Sequence, residues 1–234
     1  MKFEIPLTPG TMIKRYKRFL SDIRLENGEI VCAHVPNTGS MSTCWEEGWK
    51  VMLSKSTNPD RKLPYTLEMT HNGQTWIGVN TGNPMKMAVE ALENKIISEL
   101  VQYPTIKKEV KIGDSRIDLL LSHGEEQCYV EIKNVTLLGD HKQALFPDAV
   151  SERGTKHLKE LMNLKKQGIE AAMLYIIQRE DIESFAPAAK IDPMYAEHLR
   201  MAKEHGVQIL TYICSLSPEE IKITKKVPFD LALK

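Results

Sequence analysis

The hydrophobic period of this 234-residue chain changes at Asn83-Pro84, and that change constrains the fold more than any other feature. Before it, apolar residues come in short runs divided by turn residues, which is the pattern of a small all-β unit. Arg15 to Ile23, Ile30 to Val35, Trp49 to Lys55, Tyr65 to His71 and Gln74 to Val79 read as strands. Pro36-Asn37-Thr38-Gly39 and the polar stretch Ser56 to Lys62 break the runs, and Asn72-Gly73 reads as a two-residue hairpin turn. About five short strands without a helix predict a small β-barrel of OB-like type over residues 1–83.

After the break, Met85, Ala88, Val89, Leu92, Ile96, Leu100 and Tyr103 fall at helical spacing, predicting a helix from Met85 to Tyr103. Strand-like runs follow at Ile106 to Ile112, Arg116 to Leu121 and Cys128 to Leu137. A helix opens at Ser151 and stops at Gly168. Ala171 to Gln178 is an apolar strand, Pro193 to His205 a helix, and Val207 to Cys214 a last strand. The order αβββαβαβ over residues 84–216 predicts a mixed sheet with helices on its faces. The tail, residues 217–234, is expected to pack on one of the two units.

Bulk chemistry narrows the partners. Thirty-one Lys and Arg balance 31 Asp and Glu, so any nucleic-acid contact must use local patches rather than net charge. Cys32, Cys44, Cys128 and Cys214 are too scattered for a zinc site and read as reduced, mostly buried thiols. The first residues lack the apolar core of a signal peptide, and no apolar run is long enough to cross a bilayer. The expected location is therefore the cytoplasm, with no membrane partner.

The chemistry concentrates in the hairpin Ser115 to Val135. A turn centred between Gly124 and Glu125 sets Asp118 opposite Glu131, and strand alternation puts Lys133 on the face of Glu131. Val130 and Ile132 are apolar on the other face, so the strand is central and the charges are buried. Buried carboxylates cost several kcal/mol unless paired or metal-bound. Asp118 followed by Glu131-Ile132-Lys133 is the PD-(D/E)xK pattern of nucleases. In such a site two carboxylates and a carbonyl hold Mg²⁺ or Mn²⁺, while the lysine steadies the attacking water or the transition state. A structural Lys133–Glu131 ion pair is the competing reading. Glu90, and after it Glu99, are the first-helix acids that could join the site, or they are solvated helix residues.

Two further patches suit phosphates. Arg153, Lys156 and His157 follow the N-cap residue Ser151 at a helix start, although His157 reads equally well as a packed core histidine. Residues 1–24 hold six Lys/Arg against two acids, with Lys14, Arg15, Lys17 and Arg18 around Tyr16 and Phe19; Arg61 and Lys62 border Tyr65. Cations among aromatic rings suit a nucleic-acid strand. The rings Tyr16 and Phe19 are themselves expected in the core.

The chain as a whole resembles the sugar fermentation stimulation protein A family. The residues that carry the likeness include Arg15-Tyr16-Lys17-Arg18-Phe19, Pro36-Asn37-Thr38-Gly39-Ser40-Met41, Arg61-Lys62-Leu63-Pro64-Tyr65-Thr66 and Val79-Asn80-Thr81. In the second half they include Ser115-Arg116-Ile117-Asp118, Tyr129 to Leu137, Phe146 to Gly154 and Lys156-His157-Leu158. The resemblance implies an OB-like domain, a restriction-endonuclease-like domain, and DNA binding linked to sugar use. It leaves open whether the Asp118, Glu131 and Lys133 group cuts DNA or is structural in a non-catalytic regulator. A sugar- or nucleotide-handling enzyme is the third reading, and neither a P-loop nor G-x-G-x-x-G supports it. A homodimer is expected if duplex DNA is cut, one site per strand.

Overall fold

The computed structural model describes residues 1–113 and 115–231. The first unit comprises β1 (Thr8–Tyr16), β2 (Leu20–Leu25), β3 (Ile30–His34), β4 (Lys50–Lys55), β5 (Tyr65–His71) and β6 (Trp76–Gly78). They lie in the order β3-β2-β1-β4-β5-β6, and β3 also pairs in parallel with β5 through Ala33–Tyr65 and His34–Thr66. That last pairing closes β1 to β5 into a five-stranded barrel of OB type. Met12, Ile23, Val51, Leu53 and Leu67 fill it, as the inward half of each alternating strand must.

Two local expectations fail here. Arg15 to Ile23 is a hairpin rather than one strand. Lys17 and Arg18 both take positive φ, 50° and 63°, and Tyr16 pairs with Leu20. Such turns are normally marked by Gly, Asn or Asp; here pairing of β1 with β2 and of β2 with β3 overrides that preference. The Asn72-Gly73 turn is the tip of a longer loop, because pairing of β5 with β6 ends at His71–Trp76. Asn72 Oδ1 accepts from the backbone of Gln74 and Thr75 and holds that loop open.

The second unit begins with α1 (Pro84–Glu93), for which Asn83 is the N-cap and Pro84 the first residue. The helix stops at Asn94, far short of Tyr103. Lys95 turns the chain at a φ of 56°, and only one 3₁₀ turn, Ser98–Leu100, follows. Leu100 and Tyr103 are buried in the same core as α1, so the apolar spacing continues beyond the helix that it imitates. Next come β7 (Thr105–Ile112), β8 (Ser115–His123), β9 (Glu126–Val135), β10 (Leu137–Leu138) and β11 (Gln143–Phe146). The chain ends with α2 (Glu152–Lys166), β12 (Glu170–Ile177), β13 (Ser184–Pro187), α3 (Pro193–Glu204), β14 (Gln208–Leu216) and β15 (Ile221–Lys226).

The main sheet runs β15-β14-β12-β9-β8-β7, with β12 parallel to both β9 and β14. α1 packs on one face, while α2 and α3 pack on the other. β12, apolar after Glu170 but for the Tyr175 hydroxyl, lies in the middle and is almost wholly buried. This is the mixed core of restriction-endonuclease-like domains. β10, β11 and β13 form a separate small sheet beside it.

The first residues and the described part of the tail, residues 217–231, meet on this unit; residues 232–234 lie outside the described residues. β15 comes from the tail and pairs with β14. Lys2 bridges to Glu220, and Met1 and Phe3 pack on the α1 core, so the first residues lie on the second unit and not on the barrel. Between the units, the buried Arg179 forks onto Asp181 and also donates to the carbonyls of Thr136 and Thr43. Asn72 of the barrel donates to Asp181 as well. No helix among the described residues is long and apolar enough to cross a membrane.

Candidate functional site

The register of the β8–β9 hairpin is the expected one from His123–Glu126 to Leu119–Val130. There the ladder stops although both strands continue, β8 against β7 and β9 against β12. At the parting point Asp118 Oδ2 accepts from the backbone N–H of Ile132 at 2.7 Å. A side chain thus replaces the missing strand partner, satisfying a donor that separation would otherwise orphan.

Glu131 is only 2% exposed. Its Oε1 accepts from Lys133 Nζ at 2.6 Å and meets Nδ1 of His157, which reaches in from α2. Arg153 Nε lies 3.5 Å from the other ring nitrogen of His157. A carboxylate on one side and a cationic donor on the other fit an imidazole carrying its proton on Nδ1. Burial pushes the Glu131 carboxyl up, but the His157 hydrogen bond and the Lys133 charge prevail and hold it below the usual range. Asp118 is moved the other way, to about 6, by burial and then by the Glu131 charge, with Ile132 N–H and Lys133 offsetting only part.

One atom is left over. Glu131 Oε2 is buried and accepts from no described residue. An unpartnered carboxylate oxygen beside a second carboxylate that resists ionisation is a costly arrangement for an empty core. It is the donor set a hard divalent cation needs: one or two carboxylates, with water completing the shell. No third Asp, Glu, His or Cys joins them in a ligand cluster among the described residues. Glu90 instead pairs with the Met1 ammonium at 2.7 Å. Glu99 lies in the 3₁₀ turn, where it holds Lys226 at 2.5 Å and accepts from Tyr212 at 2.6 Å. Neither first-helix acid is brought to the site.

The group opens into a cleft of about 600 Å³ between the two units. One wall carries Asp118, Glu131, Lys133 and Arg153; the barrel contributes Arg18, Asn37 and Gly39 to the other. α2 begins at the cleft, where Ser151 Oγ accepts from Gly154 N–H and caps the helix. Of the helix-start cations, Arg153 lines the cleft, Lys156 is exposed, and His157 is buried against Glu131. His157 is thus packed, as one reading expects, and its ring meets Glu131 rather than lining the cleft where a phosphate contact would lie.

The barrel cations divide. Arg18 is exposed and lines the cleft, while Lys17 is exposed on the same turn. Lys14 pairs with Asp22 at 3.3 Å and lies over the Tyr16 ring. Arg15 is committed to the loop below it, donating to the carbonyls of Asn37, Gly39 and Ser40, and burial lowers its pKa. Arg61 donates to Thr66, and neither Arg61 nor Lys62 lines the cleft. Phe19, expected in the core, is 46% exposed.

Sequence reasoning assigned no role to Asp148. A Cβ on Gly39 would lie 2.1 Å from Asp148 Oδ2, and the N–H of Met41 donates to that same oxygen. The contact joins residues over a hundred positions apart, and no local pattern marks it.

A family model described as the sugar fermentation stimulation protein RE domain matches residues 82–220, and one described as the SfsA N-terminal OB domain matches residues 13–79. The sugar fermentation stimulation protein homolog of Geotalea uraniireducens is 50% identical over 228 residues, covering 97% of this chain and 98% of its own. That of Geobacter metallireducens is 48% identical over 233 residues, covering 99% and 100%. The solved structure of Pyrococcus furiosus SfsA in complex with Ca²⁺ superposes with a TM-score of 0.88 at 28% identity, over 98% of each chain.

Proposed function

The chain belongs to the sugar fermentation stimulation protein family, and from that premise we propose that it binds DNA and hydrolyses phosphodiesters in the cleft with a divalent cation, Mg²⁺ or Mn²⁺. The observation that carries the reading is Glu131 Oε2, buried without a partner beside a carboxyl held near 6. The relative from Pyrococcus furiosus, similar end to end, was solved with Ca²⁺, another hard oxygen-seeking cation.

Asp118 and Glu131 would hold the cation, which supplies polarisation of a phosphoryl oxygen and a more acidic water. His157 fixes the rotation of the Glu131 carboxylate by donating Nδ1–H, so that Oε2 is presented rather than Oε1. Lys133 Nζ sits at the same carboxylate and offers positive charge to the oxygens that become more negative in the transition state. Arg153, at the start of α2, adds a cation at the cleft for a neighbouring phosphate. A role in controlling sugar use is proposed from the family's description.

The second reading is a DNA-binding regulator that does not cut, favoured by the tight Lys133–Glu131 pair and its closure by His157. A nicking assay with Mn²⁺ on supercoiled, linear and single-stranded DNA tests the first against the second. Calorimetry with Mn²⁺ on the same preparation reports cation binding. Folded protein that neither binds Mn²⁺ nor cuts any of the three DNAs defeats the hydrolytic reading.

A further inference from the structure

The cleft is walled on both sides. Opposite the acids stands the barrel loop 36–41, which the structure makes rigid. Arg15 holds three of its carbonyls, the buried Asn37 donates to Val79 O, and Thr81 donates to Pro36 O through both its N–H and its hydroxyl. Asp148 then fastens this loop to the nuclease-like unit, packing against Gly39 with no room for a Cβ and accepting from Met41 N–H. The space between the two walls is about 600 Å³, within the range of small-ligand clefts.

The barrel also supplies what an unpaired strand needs. The turn between β1 and β2 holds two consecutive residues, Lys17 and Arg18, at positive φ, a conformation disfavoured for any residue with a side chain. Strain of this kind persists where the surrounding structure enforces it, and it gathers at functional sites. Here it delivers Arg18 to the cleft, with no ion pair or hydrogen bond among the described residues to occupy its guanidinium. The next residue, Phe19, presents an exposed ring. A free guanidinium at the cleft, followed in the chain by an exposed aromatic ring, offers a contact for phosphates and a face on which an unpaired base can stack.

We infer that the cleft takes one unpaired nucleic-acid strand in preference to a continuous duplex, and that Arg18 is the barrel residue that grips the strand's backbone there. The inference rests on the proposed nucleic-acid function and narrows its substrate.

Fluorescence anisotropy in Ca²⁺, on the full chain, tests it with three labelled oligonucleotides: a single strand, its blunt duplex, and the duplex bearing a single-stranded flap. The single strand and the flap should bind about tenfold more tightly than the blunt duplex. Arg18→Gly keeps the turn, because glycine adopts positive φ freely, and should weaken single-strand binding with a salt slope shallower by about one. Phe19→Ala should weaken the single strand and leave the salt slope unchanged. Blunt duplex bound as tightly as the single strand, or an Arg18→Gly protein with unaltered affinity, overturns the inference while leaving the nucleic-acid reading standing. Failure to bind all three oligonucleotides overturns that reading itself.

Discussion

His157 on α2 and Glu131 on β9 meet through Nδ1 and Oε1 in a place closed to solvent, both side chains under a twentieth exposed. The contact ties the acid to a helix that begins at the cleft. It leaves only the second oxygen of Glu131 to face whatever enters. A histidine that reads in sequence as a phosphate contact or as core is here buried, with its ring on the carboxylate of Glu131.

His157→Ala should therefore lower cation affinity by about 10–100-fold without removing either carboxylate. It should also cost about 1–3 kcal/mol of stability, because a buried carboxylate loses a donor. Calorimetry with Mn²⁺ and thermal melting give the two numbers. Unchanged affinity in a destabilised protein would make His157 merely structural.

Asp118→Asn and Glu131→Gln keep the shapes and remove the charges that a hard cation needs. Each should abolish Mn²⁺ binding by calorimetry. Asp118→Asn keeps an oxygen that can accept from Ile132 N–H, so melting should change little.

Lys133→Ala separates catalysis from architecture. A residue that acts on the transition state should cost cleavage and spare cation affinity. Breaking a buried ion pair costs about 3–5 kcal/mol when it strands a charge, and the loss should fall below that range because His157 remains on Glu131. A full loss of that size with no change in cutting would support the structural reading.

Much of this site is legible in the sequence because it depends on local rules. The Gly124-Glu125 turn and the two-residue period of strands are enough to give the register that aligns Leu119 with Val130. They do not reveal that the ladder ends one residue later, since the split depends on β8 and β9 having different outer neighbours. Helical spacing misplaces the end of α1 because Leu100 and Tyr103 are buried for tertiary reasons. The turn at Lys17-Arg18 carries no Gly or Asn to announce it. Glu90 and Glu99 satisfy the pattern of a third acid, yet each finds a cation elsewhere, on Met1 and on Lys226.

Glu99 gives the pH dependence a definite sign. Burial alone would raise its pKa, but hydrogen bonds from Lys226 and Tyr212 bring it down to about 2, from an ordinary 4.5. A depressed carboxylate adds stability that is complete above the ordinary value and is lost as pH falls through 4.5 toward 2. Melting temperatures between pH 6 and pH 2.5 should thus fall less steeply in Glu99→Gln than in the parent protein. Parallel curves would remove Glu99 from the acid response.

Gly39→Ala probes the fastening of the cleft. The new methyl would collide with the Asp148 carboxylate, so either that side chain or the loop must shift, at a cost of up to about 1–3 kcal/mol. Hydrogen exchange at Met41 N–H should accelerate, while exchange in β12 stays slow. Equal protection of Met41 in both proteins would mean that the loop is not held by Asp148.

The guanidinium of Arg179 is committed on one side to Asp181, which Asn72 also holds, and on the other to carbonyls from both units. Opening the junction would break the Thr43 and Asn72 bonds and disturb a buried charge network, so the two units are expected to melt together. Heating should accordingly produce one calorimetric endotherm, with the van't Hoff enthalpy equal to the measured one. The barrel and the nuclease-like sheet are two architectures but a single cooperative body.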